Sequence, residues 1–274
     1  MIEPNNAIQI LLLDSLLTFL EVFPIKIARK NRKFDLFKTI IKSGFRFYDD
    51  DIIVISSKFV SVSEGSVVKL TNVKPSKQSR QFAKRFQMDE RIVEMVLREA
   101  DVVVNGIPGF LLTIKDGMIA PNAGIDKSNA PKNSIILYPR DPFKSAERIR
   151  SNFLHKLGIN VGVVISDSRL MPTRIGTTGI AIGVSGFEPV EDFRGKRDLF
   201  GHRLKVTFKA TADSLSTIAV FTMGESDEST PLVIIRGASI KSTKRKLTSS
   251  DMTVDPKIDI YLRDLCPSEF LKQY

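Results

Sequence analysis

The segment VVISDSRLMPTRIGTTGIAIGVSG, residues 163–186, restricts the fold of this chain more than any other. It opens with an apolar run typical of a buried strand, which is expected to end at Asp167 and Ser168, with Arg174 in the turn that follows. A carboxylate, a hydroxyl, a cation and bare backbone together suit a metal-bound phosphate. Four glycines spaced by three, four and three residues equally suit a helix face packed closely against a neighbour. The spacing alone leaves phosphate loop and packing face both open for Gly176, Gly179, Gly183 and Gly186.

Short β-branched runs alternate with helical patterns elsewhere, which predicts an α/β fold with mixed sheets. Asp116 and Gly117 indicate a hairpin turn, and a helix is expected to begin at Asp141 and Pro142 and to end at Gly158. The predicted strands lie near residues 51–60, 102–104, 110–115, 118–120, 134–139, 161–166 and 231–237. The predicted helices lie at residues 78–100, as one helix or two, at 142–157 and, after a further strand, near 212–223.

The composition is that of a globular protein, because 42% of the 274 residues are hydrophobic and 26% are charged. Disorder of the whole chain is therefore excluded. The single cysteine, Cys266, permits no internal disulfide and lies far from the motifs, so a cytoplasmic protein without thiolate chemistry is expected. The two histidines, His155 and His202, have no metal-type spacing, which disfavours zinc and leaves oxygen-ligated metals open.

Residues 7–23 are apolar enough to raise the question of a membrane segment. Gln9, Asp14 and Glu21 interrupt the run, and neither a basic region nor a small-residue cleavage site flanks it. A buried helix or a lead-in strand is predicted there, and no membrane association.

The net charge of +10 attracts anions in general, without distinguishing nucleic acid from a nucleotide or a phosphorylated coenzyme. The densest basic runs, residues 26–33 and 241–246, are not interleaved with aromatic residues as a base-stacking surface would be. Solvated basic faces are therefore predicted, and nucleic acid is not the expected partner.

Five more motifs, with the segment already described, produce a resemblance to the coenzyme F420-0:L-glutamate ligase family. It covers roughly residues 21–237 and implies a two-lobed α/β fold in an intertwined homodimer. Residues 1–20 are then an N-terminal extension, 21–238 the ligase-like domain, and 239–274 a basic tail, expected to be mobile, with a short helix at 258–265. The five motifs are EVFPI (21–25), DIIVISSKFVSVSEG (51–65), NAGIDKSN (122–129), FRGKRDLFGHRLKVT (193–207) and FTMGESDE (221–228).

The resemblance implies a ligase that uses GTP and Mg²⁺ or Mn²⁺ to join L-glutamate to the terminal carboxylate of F420-0. A carboxylate is a poor acyl donor, so its attack on the γ-phosphate would give an acyl phosphate that the amine can displace. Metal ions and cations must neutralise charge during that transfer. No covalent enzyme nucleophile is needed.

The metal ligands implied by the family are Asp126, Asp167, Ser168 and Glu225. Each carboxylate also has an ordinary structural role available. Asp126 suits a turn cap, Asp167 suits a helix or turn cap, and Glu225 is one acid in a polar loop that also contains Asp227 and Glu228.

Lys58 and Arg174 are the predicted catalytic cations, for phosphate or for the substrate carboxylate, and an exposed salt bridge is the alternative for each. Residues 28–31 overlay, more loosely, a region that approaches the nucleotide in the family. The nucleotide contacts implied by the resemblance are Ser57, Lys58, Asn129, Met223, Gly224 and Ser226.

The chain departs from the family pattern at two places. Val62 replaces a nucleotide-contacting lysine, and Leu170 and Met171 replace a Gly-Arg pair, with Ile175 in place of a second arginine. A paralogous ligase with another acceptor is therefore an alternative. A basic nucleic-acid-binding protein whose aspartates are structural turns is the alternative from another class.

Overall fold

The computed structural model describes residues 19–255 and 257–263, which form twelve strands and six α-helices. The strands are β1 (Glu21–Ile25), β2 (Ile52–Ser56), β3 (Val67–Lys69), β4 (Val102–Ile107), β5 (Phe110–Lys115), β6 (Met118–Ile119), β7 (Ser134–Ile136), β8 (Gly162–Leu170), β9 (Thr177–Ser185), β10 (Glu191–Asp192), β11 (Phe208–Lys209) and β12 (Leu232–Arg236). The helices are α1 (Leu36–Ile41), α2 (Ser57–Glu64), α3 (Lys77–Phe86), α4 (Glu90–Glu99), α5 (Pro142–Leu157) and α6 (Thr211–Met223). The predicted mixed α/β class is confirmed.

A five-stranded mixed sheet in the order β1-β12-β2-β8-β9 forms the centre of the molecule. Only β2 and β8 run parallel, and the other neighbours are antiparallel. Both faces are covered, which explains why the central strands are apolar runs rather than alternating ones. Ile53 and Ile55 face α1, α2 and α5, whereas Ile52 and Val54 face α6.

A second lobe, defined here as residues 67–136, has a core of its own beneath α3 and α4. It contains the three-stranded sheet β4-β5-β6 and the pair β3-β7. The helical pattern at residues 78–100 proves to be two helices, because Gln87 turns left-handed after α3 and Asp89 caps α4. The Asp116-Gly117 turn between β5 and β6 is confirmed. The helix caps at Asp141 and Gly158 are confirmed for α5.

The prediction that Asp167 and Ser168 end a strand is wrong. Strand β8 continues to Leu170, because its backbone goes on pairing with β9 beyond the apolar run, with Asp167 opposite Ile180 and Ser168 opposite Gly179. Asp167 and Ser168 therefore lie within a strand, which holds their backbone more firmly than a turn would.

The glycines form neither a phosphate loop nor a helix face, because Gly179 and Gly183 lie in strand β9. Close packing is nevertheless the role of Gly179 and Gly183, whereas Gly176 has open space around it. A side chain at Gly179 would collide with the α6 backbone at Ser216, and one at Gly183 would collide with Pro142 at the start of α5. The two helices thus press on opposite faces of the same strand.

Most of the apolar segment 7–23 falls outside the described residues, and β1 begins at Glu21. Residues 239–255, the first part of the expected mobile tail, pack against the rest of the molecule. Leu247 is buried in the core beneath α6, and Arg245 pairs with Glu188 and Asp251. Part of the helix predicted at 258–265 is described, and up to Arg263 it consists of turns. None of the described helices has the length and hydropathy that a membrane span needs.

Candidate active site

One cavity of about 290 Å³ brings together most of the predicted site residues. Its wall is formed by the start of α2, the second half of β8, the loop after α6 and residues 27–30 after β1. The predicted residues that line it are Ser57, Lys58, Asn129, Asp167, Ser168, Met223, Gly224, Glu225 and Ser226. Four segments distant in sequence therefore meet at one place.

Ser57 and Asp167 are neighbours because β2 and β8 are parallel and in register, with Ser56 opposite Ser166. The chain turns from β2 directly into α2, which places Ser57 in the first helical position. Ser57 Oγ donates to Asp167 Oδ1 at 2.8 Å. The sheet register itself thus sets the distance between these two groups.

The other oxygen of Asp167 is held from behind by Arg169, which in turn contacts Tyr138; neither residue was predicted from the sequence. Arg169 Nη2 lies 3.2 Å from Asp167 Oδ2 and donates to Tyr138 Oη at 2.9 Å. Burial raises the pKa of the Tyr138 phenol far above its ordinary value, so the hydroxyl stays protonated. The sequence signal for Arg169 was the period of two along β8, which places it on the same face as Asp167.

Asp126 lies in the loop between β6 and β7 and is fixed there by backbone bonds to Ile136 in both directions. Lys58 Nζ lies 2.9 Å from Asp126 Oδ2, and the Ser128 amide donates to Asp126 Oδ1 at 2.6 Å. Burial raises the pKa of Asp126, but Lys58 and the Ser128 hydrogen bonds outweigh it and leave that pKa below its usual value. Asp126 therefore forms the turn expected of it and also pairs with the predicted catalytic lysine.

Glu225 faces β8 and β9. It accepts from Ser168 Oγ at 2.6 Å and from Thr177 Oγ1 at 2.9 Å. Glu228, a competing candidate, accepts instead from the Ser226 amide at 2.8 Å within its own loop. Both carboxylates line the cavity, but Glu225 accepts from two strands, whereas Glu228 is bound to the backbone of its own loop.

Two further contacts define the loop after α6. Gly224 ends the helix at φ +77°, and a side chain there would collide with the Glu228 carboxylate. Asn129 Nδ2 donates to Ser226 O at 3.2 Å, which connects the loop of Asp126 to the loop of Glu225. This hydrogen bond between two predicted nucleotide contacts therefore joins the loops that carry the predicted metal ligands Asp126 and Glu225.

The three carboxylates do not converge on one point. Across residues 19–255 and 257–263, no group of three His, Cys, Asp or Glu side chains is arranged to hold a metal ion. Asp167, Ser168 and Glu225 nevertheless line the same cavity with oxygen donors only, which is the donor set that Mg²⁺ and Mn²⁺ prefer. These residues fit such an ion by their chemistry. Asp126 does not line the cavity and is paired with Lys58, so it could join them only if that ion pair opened.

The structure does not bring Arg174 into the cavity. Its side chain is exposed, and its amide closes a turn onto Met171 O between β8 and β9. Leu170 and Met171, where the chain departs from the family pattern, are exposed at the same end of the hairpin. Val62 differs from them, because it is buried and lines the cavity.

A family model described as F420-0:Gamma-glutamyl ligase matches residues 25–237. The coenzyme F420:L-glutamate ligase of Methanopyrus kandleri is 39% identical over 219 residues, which cover 80% of this chain and 87% of that protein. The protein of the same description from Methanocaldococcus jannaschii is 44% identical over 193 residues, covering 70% of this chain and 77% of the relative. The chain belongs to the F420-0:gamma-glutamyl ligase family, and the resemblance noted in its motifs is confirmed.

Proposed function

We propose that this chain forms an amide bond between L-glutamate and the terminal carboxylate of F420-0, at the expense of GTP and with Mg²⁺ or Mn²⁺. The observation that supports it is the meeting of Lys58, Asp167, Ser168 and Glu225, from three distant motifs, at a single cavity. Family membership supports the ligase class and both substrates. The geometry supports the placement of the phosphate chemistry.

The cavity offers cations and oxygen donors but needs no nucleophile of its own. Lys58 and the neighbouring Arg29 and Lys30 attract the phosphates of the nucleotide. A divalent ion held by Asp167, Ser168 and Glu225, and by Asp126 once its ion pair with Lys58 opens, would neutralise charge on the transferred phosphoryl group. The protein's remaining task is to align the F420-0 carboxylate with that group and then to admit the amine.

Several finer points are part of the proposal. Asn129, Met223, Gly224 and Ser226 contact the nucleotide, together with Ser57 and Lys58. Arg174 is a cation for phosphate or substrate carboxylate although it lies outside the cavity of its own chain. The division of the chain at residues 21 and 238 and the cytoplasmic location stay predictions.

A homodimer is also proposed, and an exposed apolar segment supports it. Residues 193–208 carry Leu199, Phe200 and Val206, which are 102%, 87% and 83% exposed. Apolar side chains grouped on a surface mark association sites. Light scattering should give twice the 30.7 kDa of one chain, and Phe200→Asp should shift it toward monomer while Phe200→Leu should not. A wild-type monomer at micromolar concentration with full activity would refute the dimer.

The paralogous ligase is retained as a second candidate because Val62 removes a cation from the cavity wall. Membership in a ligase family leaves the nucleic-acid-binding alternative without support. The experiment is incubation of the purified protein with F420-0, L-glutamate, GTP and MnCl₂, followed by mass spectrometry for products heavier by glutamyl units. Matched reactions omit GTP or add a chelator. Absence of product with F420-0, together with a product from another acid acceptor, would establish the paralogue.

A further inference from the structure

Arg169 is a buried cation that lies behind the cavity without lining it. Its side chain is 7% exposed, and Nη2 donates both to Asp167 Oδ2 and to Tyr138 Oη. An arginine keeps its charge when buried, so it is tolerated only where acceptors meet its donors. Arg169 therefore holds one oxygen of Asp167 and leaves Oδ1 to Ser57 and the cavity.

Tyr138 connects this cation to the loop of the other aspartate. Its ring is 3% exposed and covers Gly124, where a side chain would collide with that ring. Gly124 precedes Asp126 by two residues in the same loop. One tyrosine thus packs on the loop that carries Asp126 and accepts from the residue that holds Asp167.

We propose that Arg169 and Tyr138 are positioning residues, which set the orientation of the Asp167 carboxylate and its separation from Asp126 for binding a divalent ion. This role rests on the metal dependence in the proposed function. Neither side chain lines the cavity, so neither is a catalytic residue. Groups that orient metal ligands from behind typically change metal affinity by roughly 10- to 100-fold when they are replaced.

The test is calorimetric titration of Mn²⁺ into the purified protein without nucleotide. For Arg169→Gln we expect binding roughly 10- to 100-fold weaker than in the wild type. If Arg169 were only a competing counter-ion, its removal would tighten binding instead. If it were only structural, the melting temperature would fall and the affinity of the folded protein would not change. Either of these two results overturns the proposal.

Two milder variants keep the test decisive if Arg169→Gln does not fold. Tyr138→Phe retains the ring that covers Gly124 and removes only the acceptor, so a smaller loss of Mn²⁺ affinity in the same direction is expected. Arg169→Lys retains the charge but lacks the planar fork, so it should restore the melting temperature and only part of the affinity. Wild-type affinity in Tyr138→Phe would refute the positioning role.

Arg150→Gln is the matched control, because Arg150 is another largely buried arginine paired with a carboxylate. It lies 2.8 Å from Glu147 and donates to Ser185 at 3.0 Å, away from the cavity. Its replacement should lower the melting temperature without changing Mn²⁺ affinity. Failure of the wild type to bind Mn²⁺ both alone and with GTP would overturn the metal-dependent function itself, and is distinguishable from failure of the positioning role alone.

Discussion

The central sheet and the second lobe each contribute one aspartate to the site, and they hold it differently. Asp167 lies in a strand paired on both sides, is 17% exposed and is bound by the buried Arg169. Asp126 lies in a loop, is 39% exposed and is paired with Lys58, itself 32% exposed. The sheet thus supplies a carboxylate that is fixed by a buried arginine. The second lobe supplies a carboxylate whose ion pair with Lys58 is half-exposed and can open. We infer that rearrangement on ligand binding is concentrated at Asp126 and Lys58.

The largest expected effect is loss of ligation in Asp167→Asn and in Asp126→Asn, because each removes charge from the divalent site with little change in shape. The comparison predicts that the two differ in stability. Asp167→Asn leaves the buried Arg169 without its carboxylate, which costs about 3 to 5 kcal/mol, whereas Asp126→Asn breaks a half-exposed pair.

Product formation by mass spectrometry and melting curves with and without Mn²⁺ check both parts, and protection by Mn²⁺ should vanish in each variant. Asp192→Asn breaks an exposed pair with Arg194 and serves as the control. Near wild-type turnover and metal binding in both variants would contradict the assignment of the two aspartates as metal ligands. Equal melting temperatures would contradict the predicted difference in how firmly the two aspartates are held.

The next largest effect is expected for Lys58→Ala, which removes the ion-pair partner of Asp126. A charged hydrogen bond to a partly buried phosphate is worth roughly 1.5 to 3 kcal/mol, or about ten- to a hundredfold in GTP affinity. Since Val62 lines the same cavity, Val62→Lys should restore part of that affinity in the double variant.

Calorimetry with saturating Mn²⁺ measures the effect of Lys58→Ala. Lys209→Ala is the control, because Lys209 forms an ion pair of the same 2.9 Å length with Glu191 outside the cavity. GTP affinity that stays unchanged in Lys58→Ala, or a wild type that binds no GTP, would favour a paralogue without triphosphate chemistry.

A smaller effect is expected at Gly179, which tests whether the β8–β9 hairpin serves packing or phosphate binding. Gly179→Ala forces a side chain into the α6 backbone and should cost about 1 to 3 kcal/mol of stability. Gly176 has open space around it, so the only obstacle to Gly176→Ala is its backbone φ of +95°. The substitution should therefore lower the free energy of unfolding by roughly 1 kcal/mol. Urea denaturation measures both. Intact stability with lost GTP binding in Gly179→Ala would restore the phosphate-loop interpretation.

The elements fixed by local chemistry were predictable from sequence, and those fixed by distant contacts were not. Helix α5 was predictable because Asp141 caps it and Gly158 ends it. The extension of β8 was missed because Asp167, Ser168 and Arg169 interrupt the apolar pattern, while the pairing that extends the strand comes from β9. The hydrogen bond between Arg169 and Tyr138 joins residues 31 apart in sequence, and no local sequence pattern predicts it.

The smallest expected effect concerns Asp213 on α6, a half-buried carboxylate that accepts from the Ala181 amide at 2.9 Å and forms no ion pair in the described part of the chain. Burial raises the pKa of Asp213 above its ordinary value of 3.8, against the opposing hydrogen bond from Ala181 and the charge of Arg169. A raised folded-state pKa means that the folded protein holds the proton more tightly than the unfolded chain. The contribution to stability is then fully present below pH 3.8 and is lost as the pH rises through the folded-state value.

Asp213→Asn, which keeps an oxygen acceptor and removes the charge, should therefore raise the melting temperature at pH 7 and change it little at pH 3. A fall in melting temperature at pH 7 would show that the backbone alone stabilises this half-buried, unpaired carboxylate, and would weaken the argument that Asp167 depends on its arginine.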